Sequence, residues 1–231
     1  MSTFVLVHGA WGGSYGWRYL RPMLRAAGHD VYNPSLTGLG ERVHLGGPEV
    51  DLTVHTLDVL NTIEYENLHD IVLVGHSYGG MVVTGVADRI PDRIRHLIYL
   101  DAFLPRDGQS LYDLGGGRQR EAPTDDWRVP ATFAVQETAD PDLEFRRQRL
   151  SPQPRRTLEE KVKLSQPLES RPFTRAYVLA LGRAGEGPFE RAAASVRGNP
   201  GWRSREIAGG HGMMRTNPVA LALLLEELIA A

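Results

Sequence analysis

A serine in a glycine-flanked turn is the residue of this chain best suited to covalent chemistry. The segment Gly75-His76-Ser77-Tyr78-Gly79 follows the apolar run Ile71 to Val74 and precedes a second apolar run with small residues. This order predicts a strand, a strained turn and a helix, which hold a serine hydroxyl above the sheet at the positive end of the helix. Ser77 is therefore predicted to be a nucleophile. The alternative is a glycine-rich turn with an incidental serine.

Two further residues with suitable chemistry also follow predicted strands. Asp101 ends the apolar run that begins at His96, and His211 lies in a glycine-rich loop after the run Trp202 to Ile207. The carboxyl ends of parallel strands meet at one edge of a sheet, so the topology alone would gather Ser77, Asp101 and His211. Their order along the chain matches that of a hydrolase in which nucleophile, acid and base follow one another.

A glycine-rich loop follows the first predicted strand, Phe4 to Val7. Its sequence is His8-Gly9-Ala10-Trp11-Gly12-Gly13, and the glycines leave backbone N–H groups free to face a ligand. Such a loop supplies one donor of an oxyanion hole beside a nucleophilic serine. A plain turn between strand and helix is the alternative reading.

Composition limits the classes of protein that remain. The chain has 231 residues, of which 42% are hydrophobic, and this length suits one α/β domain. A net charge of -2, from 26 basic and 28 acidic residues, gives no field that attracts nucleic acid or an anionic membrane. Cysteine is absent, which excludes thiolate catalysis and disulfides. Without a signal peptide or a bilayer-length apolar run, the expected location is the cytoplasm.

Strand and helix patterns alternate along the chain. They predict a doubly wound, mostly parallel six-stranded sheet with ligands at the carboxyl ends of its strands. A periodic stretch predicts a helix from Leu52 to Leu68, and another predicts a final helix from Pro218 to Ala230. The predicted strands are Phe4 to Val7, His29 to Pro34, Ile71 to Val74, His96 to Asp101, Ala176 to Leu181 and Trp202 to Ile207.

The alternating pattern breaks down over residues 104–172, which contain scattered prolines, many arginines and only short amphipathic pieces. An insertion of this kind between two sheet strands predicts a helical cap over the active-site mouth. The predicted division is a core of 1–103 and 173–231 with a cap of 104–172. Phe103, Trp127 and Phe133 are predicted to line a substrate pocket, and a place in the cap core is an equal alternative for each.

The motifs resemble one branch of the α/β-hydrolase superfamily, which contains plant methylesterases, hydroxynitrile lyases and bacterial esterase relatives. The resemblance rests on Val5 to Trp11, Gly75 to Gly80, Leu36 to Arg42 and Gly210-His211, and it covers nearly the whole chain. It implies the α/β-hydrolase fold, no cofactor or metal, and a homodimer. It also implies roles for individual residues: Ser77 as nucleophile, His211 as general base, the backbone N–H groups of Ala10 and Tyr78 as oxyanion hole, and Trp11 and Met214 in the substrate site.

The acid of the triad departs from this branch. Its carboxylate usually follows the strand represented here by Tyr177 to Leu181, but the loop at that place, residues 182–186, contains no aspartate. Asp101 and Glu186 are the two replacements, since either carboxylate would hold the imidazole in one tautomer. Asp101 is favoured because a strand end is rigid, whereas Glu186 lies between two glycines. The third alternative is that no acid operates.

These residues predict a hydrolase that cleaves small, fairly apolar carboxylic esters or lactones through an acyl-serine. A tailoring enzyme of secondary metabolism is one role that fits such substrates. The first alternative, raised by the missing aspartate, is a non-hydrolytic cyclase or a ligand-binding protein on a hydrolase scaffold. The second is a hydroxynitrile lyase. The family's lyases carry a threonine and a lysine where this chain has Gly9 and Gly212, which counts against a lyase.

Overall fold

The structure is a computed structural model that describes residues 1–115, 126–131, 142–182 and 186–230. Its central sheet contains six strands: β1 (Thr3–Val7), β2 (Asp30–Tyr32), β3 (Ile71–His76), β4 (Ile94–Leu100), β5 (Thr174–Ala180) and β6 (Arg203–Ile207). They lie in the order β2-β1-β3-β4-β5-β6, and every neighbouring pair is parallel. The predicted α/β fold with a six-stranded parallel sheet is confirmed.

Helices cover the two faces of the sheet and the loops at its carboxyl edge. The described α-helices are α1 (Leu20–Ala26), α2 (Leu52–Tyr65), α3 (Gly79–Arg89), α4 (Leu111–Leu114), α5 (Leu143–Arg147), α6 (Arg156–Glu159), α7 (Pro188–Val196), α8 (Met213–Thr216) and α9 (Pro218–Ala230). The described residues also form 3-10 turns at Ser14–Trp17, Gly40–Leu45, Pro91–Arg93 and Leu168–Ser170. None of the described helices is long and apolar enough to cross a bilayer.

The sheet separates two apolar layers because successive side chains of a strand point to opposite faces. Val5 and Val7 pack with residues of α2, α3 and α7 on one face. Phe4 and Leu6 pack with residues of α1 and α9 on the other. Both faces are covered, so β1 and β3 are continuous apolar runs, as parallel strands require. Each buried aliphatic side chain stabilises the fold by roughly 1.5–3 kcal/mol, and together they fix the strand ends that carry the site.

The chain between β4 and β5 lies across the carboxyl edge of the sheet. Its described parts contain α4, α5, α6 and a two-stranded antiparallel ribbon formed by Arg128–Val129 and Gln153–Pro154. The ribbon carries Gln153, whose side chain is fully buried against the loop after β1. The division into a core and a cap of 104–172 stays a prediction.

Most element boundaries differ from the sequence prediction by one to three residues, and two of the differences have a clear physical cause. Helix α2 ends at Tyr65 rather than Leu68 because the chain reverses at Asn67, which has a φ of 49°. The second strand is limited to Asp30–Tyr32, shorter at both ends than the apolar pattern predicted. It pairs only with β1, over three residues, because it is an edge strand.

Candidate active site

Ser77 occupies the turn between β3 and α3 and has a φ of 55°, a left-handed conformation that costs energy for any residue with a side chain. The turn is held because Gly80 N and Phe103 N both donate to the Ser77 carbonyl oxygen at 3.1 Å. A Cβ added at Gly79 would lie 2.6 Å from the Val7 carbonyl oxygen, so only glycine fits there. The glycines of the motif therefore let the helix start close against β1 while the serine side chain faces the cavity described below.

Asp101 follows β4 directly and is the carboxylate that meets the histidine. Its side chain is fully buried, and its Oδ2 lies 2.6 Å from Nδ1 of His211. Its Oδ1 accepts a hydrogen bond from Ala180 N at 3.2 Å, which fixes the orientation of the carboxylate. Glu186, the alternative acid, is exposed and does not line the cavity that contains Ser77. Asp101 thus has the contact that the acid of a triad needs.

His211 lies in the loop between β6 and α8, with 31% of its side chain exposed. Its ring stacks on Phe189 with centroids 5.0 Å apart and an interplanar angle of 11°. Its carbonyl oxygen accepts a hydrogen bond from Nε2 of His76 at 2.8 Å. Because Nδ1 is bonded to Asp101, Nε2 is the ring nitrogen available to the cavity that His211 and Ser77 both line.

His76 is a neutral neighbour of this imidazole. Burial lowers the pKa of His76 well below its ordinary value, and the charge of His211 lowers it further. The ring centroids of His76 and His211 are only 4.5 Å apart, so a second cation at this place would oppose protonation of His211. A neutral His76 that donates from Nε2 positions the His211 backbone without that repulsion.

The loop after β1 brings a second backbone donor toward Ser77. Within the described part of the chain, no hydrogen bond occupies the N–H groups of Ala10 and Tyr78, and both residues line the cavity. The loop is braced by His8, whose Nε2 accepts from Leu36 N at 3.1 Å while Nδ1 donates to the Gly9 carbonyl oxygen at 2.8 Å. Burial lowers the pKa of His8 to about 4, so the neutral ring that this arrangement requires persists at neutral pH.

The Tyr78 side chain points into the core rather than the cavity. Its hydroxyl lies 2.8 Å from Nδ1 of His55, whose Nε2 lies 2.8 Å from the Thr37 carbonyl oxygen. Since a carbonyl only accepts, Nε2 carries the ring proton and Nδ1 accepts from the tyrosine hydroxyl. Burial lowers the pKa of His55 to about 3, which keeps this tautomer neutral. Tyr78 can thus offer its backbone N–H to the cavity, while its hydroxyl is bound to His55 in the core.

Trp11 is held at all three of its polar groups by the chain between β4 and β5. Its N–H donates to Oε1 of Gln153 at 3.0 Å, and its Nε1 donates to the Val129 carbonyl oxygen at 2.9 Å. Its own carbonyl oxygen accepts from Ser151 N at 3.0 Å. These bonds hold Trp11 at a φ of 59° and thereby fix the peptide next to Ala10. Gln153 was not predicted from the sequence, because no local pattern marks a contact across 142 residues.

One cavity of about 1160 Å³ contains these groups. Trp11, Phe103 and Met214, which the sequence proposed for a substrate site, are among its lining residues. Trp127 is not among the lining residues. It packs beside Gly46, where an added Cβ would be 3.1 Å from its ring, and Arg128 lies over its indole. Phe133 lies outside the described residues.

Gly9 borders the serine closely enough for a substitution to test the geometry. A Cβ added at Gly9 would lie 2.9 Å from the Ser77 Cβ and 3.4 Å from its Oγ. Gly9→Ala is expected to lower kcat/KM for an ester about 10- to 100-fold, because displacement of a reacting group by a fraction of an ångström has effects of this size. Gly201→Ala, remote from Ser77, is the control. Wild-type kinetics in Gly9→Ala would mean that Gly9 and Ser77 are not in contact.

The comparisons with known proteins agree with this geometry. The model of the alpha/beta hydrolase family matches residues 4–222, and the chain belongs to that family. A carbendazim-hydrolysing esterase of Nocardioides sp. (strain SG-4G) is 39% identical over 99% of this chain and 100% of its own length. An alpha-hydroxynitrile lyase of Arabidopsis thaliana is 36% identical, over 44% of this chain and 40% of its own length.

A solved structure extends the similarity to the whole fold. An extracellular alpha/beta-hydrolase from a Paenibacillus species, described as sharing structural and functional homology with tobacco salicylic acid-binding protein 2, superposes with a TM-score of 0.79. The two chains are 28% identical, and the match covers 99% of each. The resemblance predicted from the motifs is confirmed. The chain thus lies in a branch whose named members include esterases and a hydroxynitrile lyase.

Proposed function

We propose that this protein is a serine hydrolase that cleaves carboxylic esters or lactones through an acyl-serine intermediate. The observation that carries the proposal is the 2.6 Å contact between Asp101 Oδ2 and His211 Nδ1 in a site that also holds Ser77 on a strained turn. The absence of an aspartate after β5 had raised a non-hydrolytic role as an alternative. Asp101 counts against that alternative, because it offers a carboxylate to His211 from the end of a neighbouring strand.

The chemistry follows from the roles of these groups. His211 Nε2 accepts the proton of Ser77 as Oγ attacks the ester carbonyl, and Asp101 stabilises the imidazolium that forms. Negative charge develops on the former carbonyl oxygen, where the N–H groups of Ala10 and Tyr78 each contribute about 3 kcal/mol to its stabilisation. His211 then protonates the departing alcohol. Water, deprotonated by the same imidazole, attacks the acyl-serine and releases the acid.

The reacting end of the cavity is suited to apolar acyl or alcohol groups. Phe103 and Phe189 meet edge to face with centroids 4.9 Å apart, and both line the cavity. Leu111 from α4 lines it as well. Apolar surface of this kind binds hydrocarbon parts of a substrate without competing for the oxyanion donors. Small, fairly apolar esters and lactones are therefore the proposed substrates of this part of the site.

A substrate panel tests the proposal against its two alternatives. We expect turnover of 4-nitrophenyl acetate, butanoate and hexanoate, measured by nitrophenolate release. The panel also includes a γ-lactone and carbendazim, the compound that the Nocardioides relative is named for hydrolysing. Mandelonitrile, with cyanide release as the readout, tests a lyase. Cyanide release without ester hydrolysis would favour the lyase. Ligand binding without turnover of any compound would favour a binding protein.

A further inference from the structure

Tyr177 of β5 is fully buried, and its hydroxyl group bonds to the backbone of two other segments. The hydroxyl oxygen accepts a hydrogen bond from Ala102 N at 3.2 Å, and the hydroxyl donates to the Ala102 carbonyl oxygen at 2.7 Å. The Phe189 carbonyl oxygen lies 3.2 Å from the same hydroxyl and shares its proton in a three-centre bond. One side chain therefore binds both backbone polar groups of Ala102 and the carbonyl group of Phe189.

The first of these segments carries the carboxylate that meets the histidine. Asp101 has a φ of 45°, a left-handed conformation that persists only where the surroundings hold it. On one side, Asp101 N donates to the Val178 carbonyl oxygen at 2.7 Å. On the other side, Ala102 N belongs to the peptide that follows the Asp101 Cα, and this N–H donates to Tyr177. The bond to Tyr177 therefore fixes the ψ angle of Asp101.

The same segment also supports the turn that contains Ser77. Phe103, the residue after Ala102, donates from its N–H to the Ser77 carbonyl oxygen at 3.1 Å. A Cβ added at Gly80 would overlap the Phe103 carbonyl oxygen, so the segment lies directly against the start of α3. A displacement of Ala102 would therefore move a bond that holds the Ser77 turn.

The second segment contacts the histidine. The Phe189 ring stacks on the His211 imidazole and also meets the Phe103 ring edge to face. The carbonyl group of Phe189 is the one that shares the Tyr177 proton. The Tyr177 hydroxyl thus joins the backbone next to the acid to the backbone of the residue stacked on the base.

We propose that Tyr177 is a positioning residue whose hydroxyl aligns the Asp101 carboxylate with His211 Nδ1. This inference rests on the roles proposed for Asp101 and His211, and it adds a residue that acts through them from outside the described cavity lining. The Asp101–His211 contact is a short one of 2.6 Å, and a hydrogen bond weakens steeply when its partners lose their alignment. Without the hydroxyl, Ala102 loses its bonds to Tyr177, and its buried polar groups must find other partners. The resulting shift of the backbone turns the Asp101 carboxylate away from the imidazole.

Tyr177→Phe removes the hydroxyl and keeps the ring. We expect kcat for 4-nitrophenyl butanoate to fall about 10- to 100-fold with little change in KM, because misplacement of a catalytic group by up to an ångström has effects of this size. The matched control is Tyr99→Phe. Tyr99 is fully buried on β4, its ring stacks on Tyr177 with centroids 6.4 Å apart, and its hydroxyl lies 2.6 Å from the Thr84 hydroxyl on α3. Equal losses of kcat in the two variants, assayed below both melting temperatures, would overturn the positioning role.

A double-mutant cycle tests whether Tyr177 acts through Asp101. The effects of two residues that act as a unit are not additive, whereas independent effects add. In the Asp101→Asn background, Tyr177→Phe should therefore lower kcat no more than about twofold, because the carboxylate that the hydroxyl aligns is already absent. A loss as large as in the wild-type background would mean that the hydroxyl acts on another part of the protein, and the proposal would be wrong.

A spectroscopic measurement separates this inference from the proposed reaction, because it requires no turnover. The proton between Asp101 Oδ2 and His211 Nδ1 should give a low-field proton NMR resonance, as expected of a short charge-assisted hydrogen bond, and its loss in Asp101→Asn assigns it. We expect Tyr177→Phe to move this resonance to higher field and Tyr99→Phe to leave it in place. That result supports the positioning role even if the wild type cleaves no ester, in which case hydrolysis alone is wrong. An unchanged resonance in folded Tyr177→Phe overturns the positioning role even if esters are cleaved.

Discussion

Ser77→Ala is expected to lower kcat for 4-nitrophenyl butanoate about a million-fold, the effect of removing the nucleophile from a serine triad. The chain has no cysteine to act in its place, and the hydroxyl of Tyr78 next to it is bound to His55 in the core. The oxyanion donors and the binding cavity remain in the variant, so a rate some thousandfold above that in water should persist. Initial rates at saturating ester measure the effect.

Covalent labelling provides the second readout of this prediction. A fluorophosphonate should add one equivalent of mass to the wild type and none to Ser77→Ala. Ser195→Ala is the control, because Ser195 is exposed on α7 and bonds only to the Ala192 carbonyl oxygen in the described structure. Label retained by Ser77→Ala, or turnover retained with a wild-type melting temperature, would remove Ser77 from the mechanism.

Asp101→Asn should lower kcat up to about ten-thousand-fold with little change in KM. The reason lies in the bond that Ala180 N donates to Oδ1. An asparagine must keep its carbonyl oxygen at this place, which turns its NH₂ group toward His211 Nδ1. Nδ1 then accepts a hydrogen bond, the ring proton moves to Nε2, and the imidazole can no longer take the proton of Ser77.

Glu186→Gln is the matched control for this substitution. It makes the same carboxylate-to-amide change at an exposed position, and we expect kcat within about twofold of the wild type, as for surface changes generally. Thermal melts must accompany both variants, since Asp101 is fully buried and its amide affects folding as well. A folded Asp101→Asn with normal kcat, or a large loss in Glu186→Gln, would reassign the acid.

The parts of the site that the sequence predicted are those marked by local patterns. The strand before Ser77 and the glycines around it are close in sequence. The close approach of residue 79 to the Val7 carbonyl oxygen requires a glycine, and the motif places a glycine at that position. Asp101 was favoured over Glu186 because it ends a strand, and a strand end proved to be where the contact with His211 forms. The parallel sheet places the strand end that carries Asp101 at the same edge as the loop that carries His211.

The contributions of the chain between β4 and β5 were not predictable in the same way. Gln153 and Arg146 reach the site region through packing between segments far apart in sequence, and a single glutamine or arginine carries no periodic signal. Trp127 was chosen for its residue type, yet it packs beside Gly46 outside the cavity lining. Residue type identifies what a side chain can do, whereas its position here depends on the path of an irregular segment.

The three hydrogen bonds to Trp11 bear on how substrate preference can diverge among relatives. Gln153, Ser151 and Val129 belong to the segment that also carries Arg146, so one segment both lines the cavity and holds the peptide next to Ala10. We expect that grafting this whole segment from a homologue would change the cavity lining and the bonds that hold this peptide at the same time. We therefore expect substrate preference to change with the least disturbance through single exchanges at the cavity-lining positions of α5 and α8, with Gln153 retained.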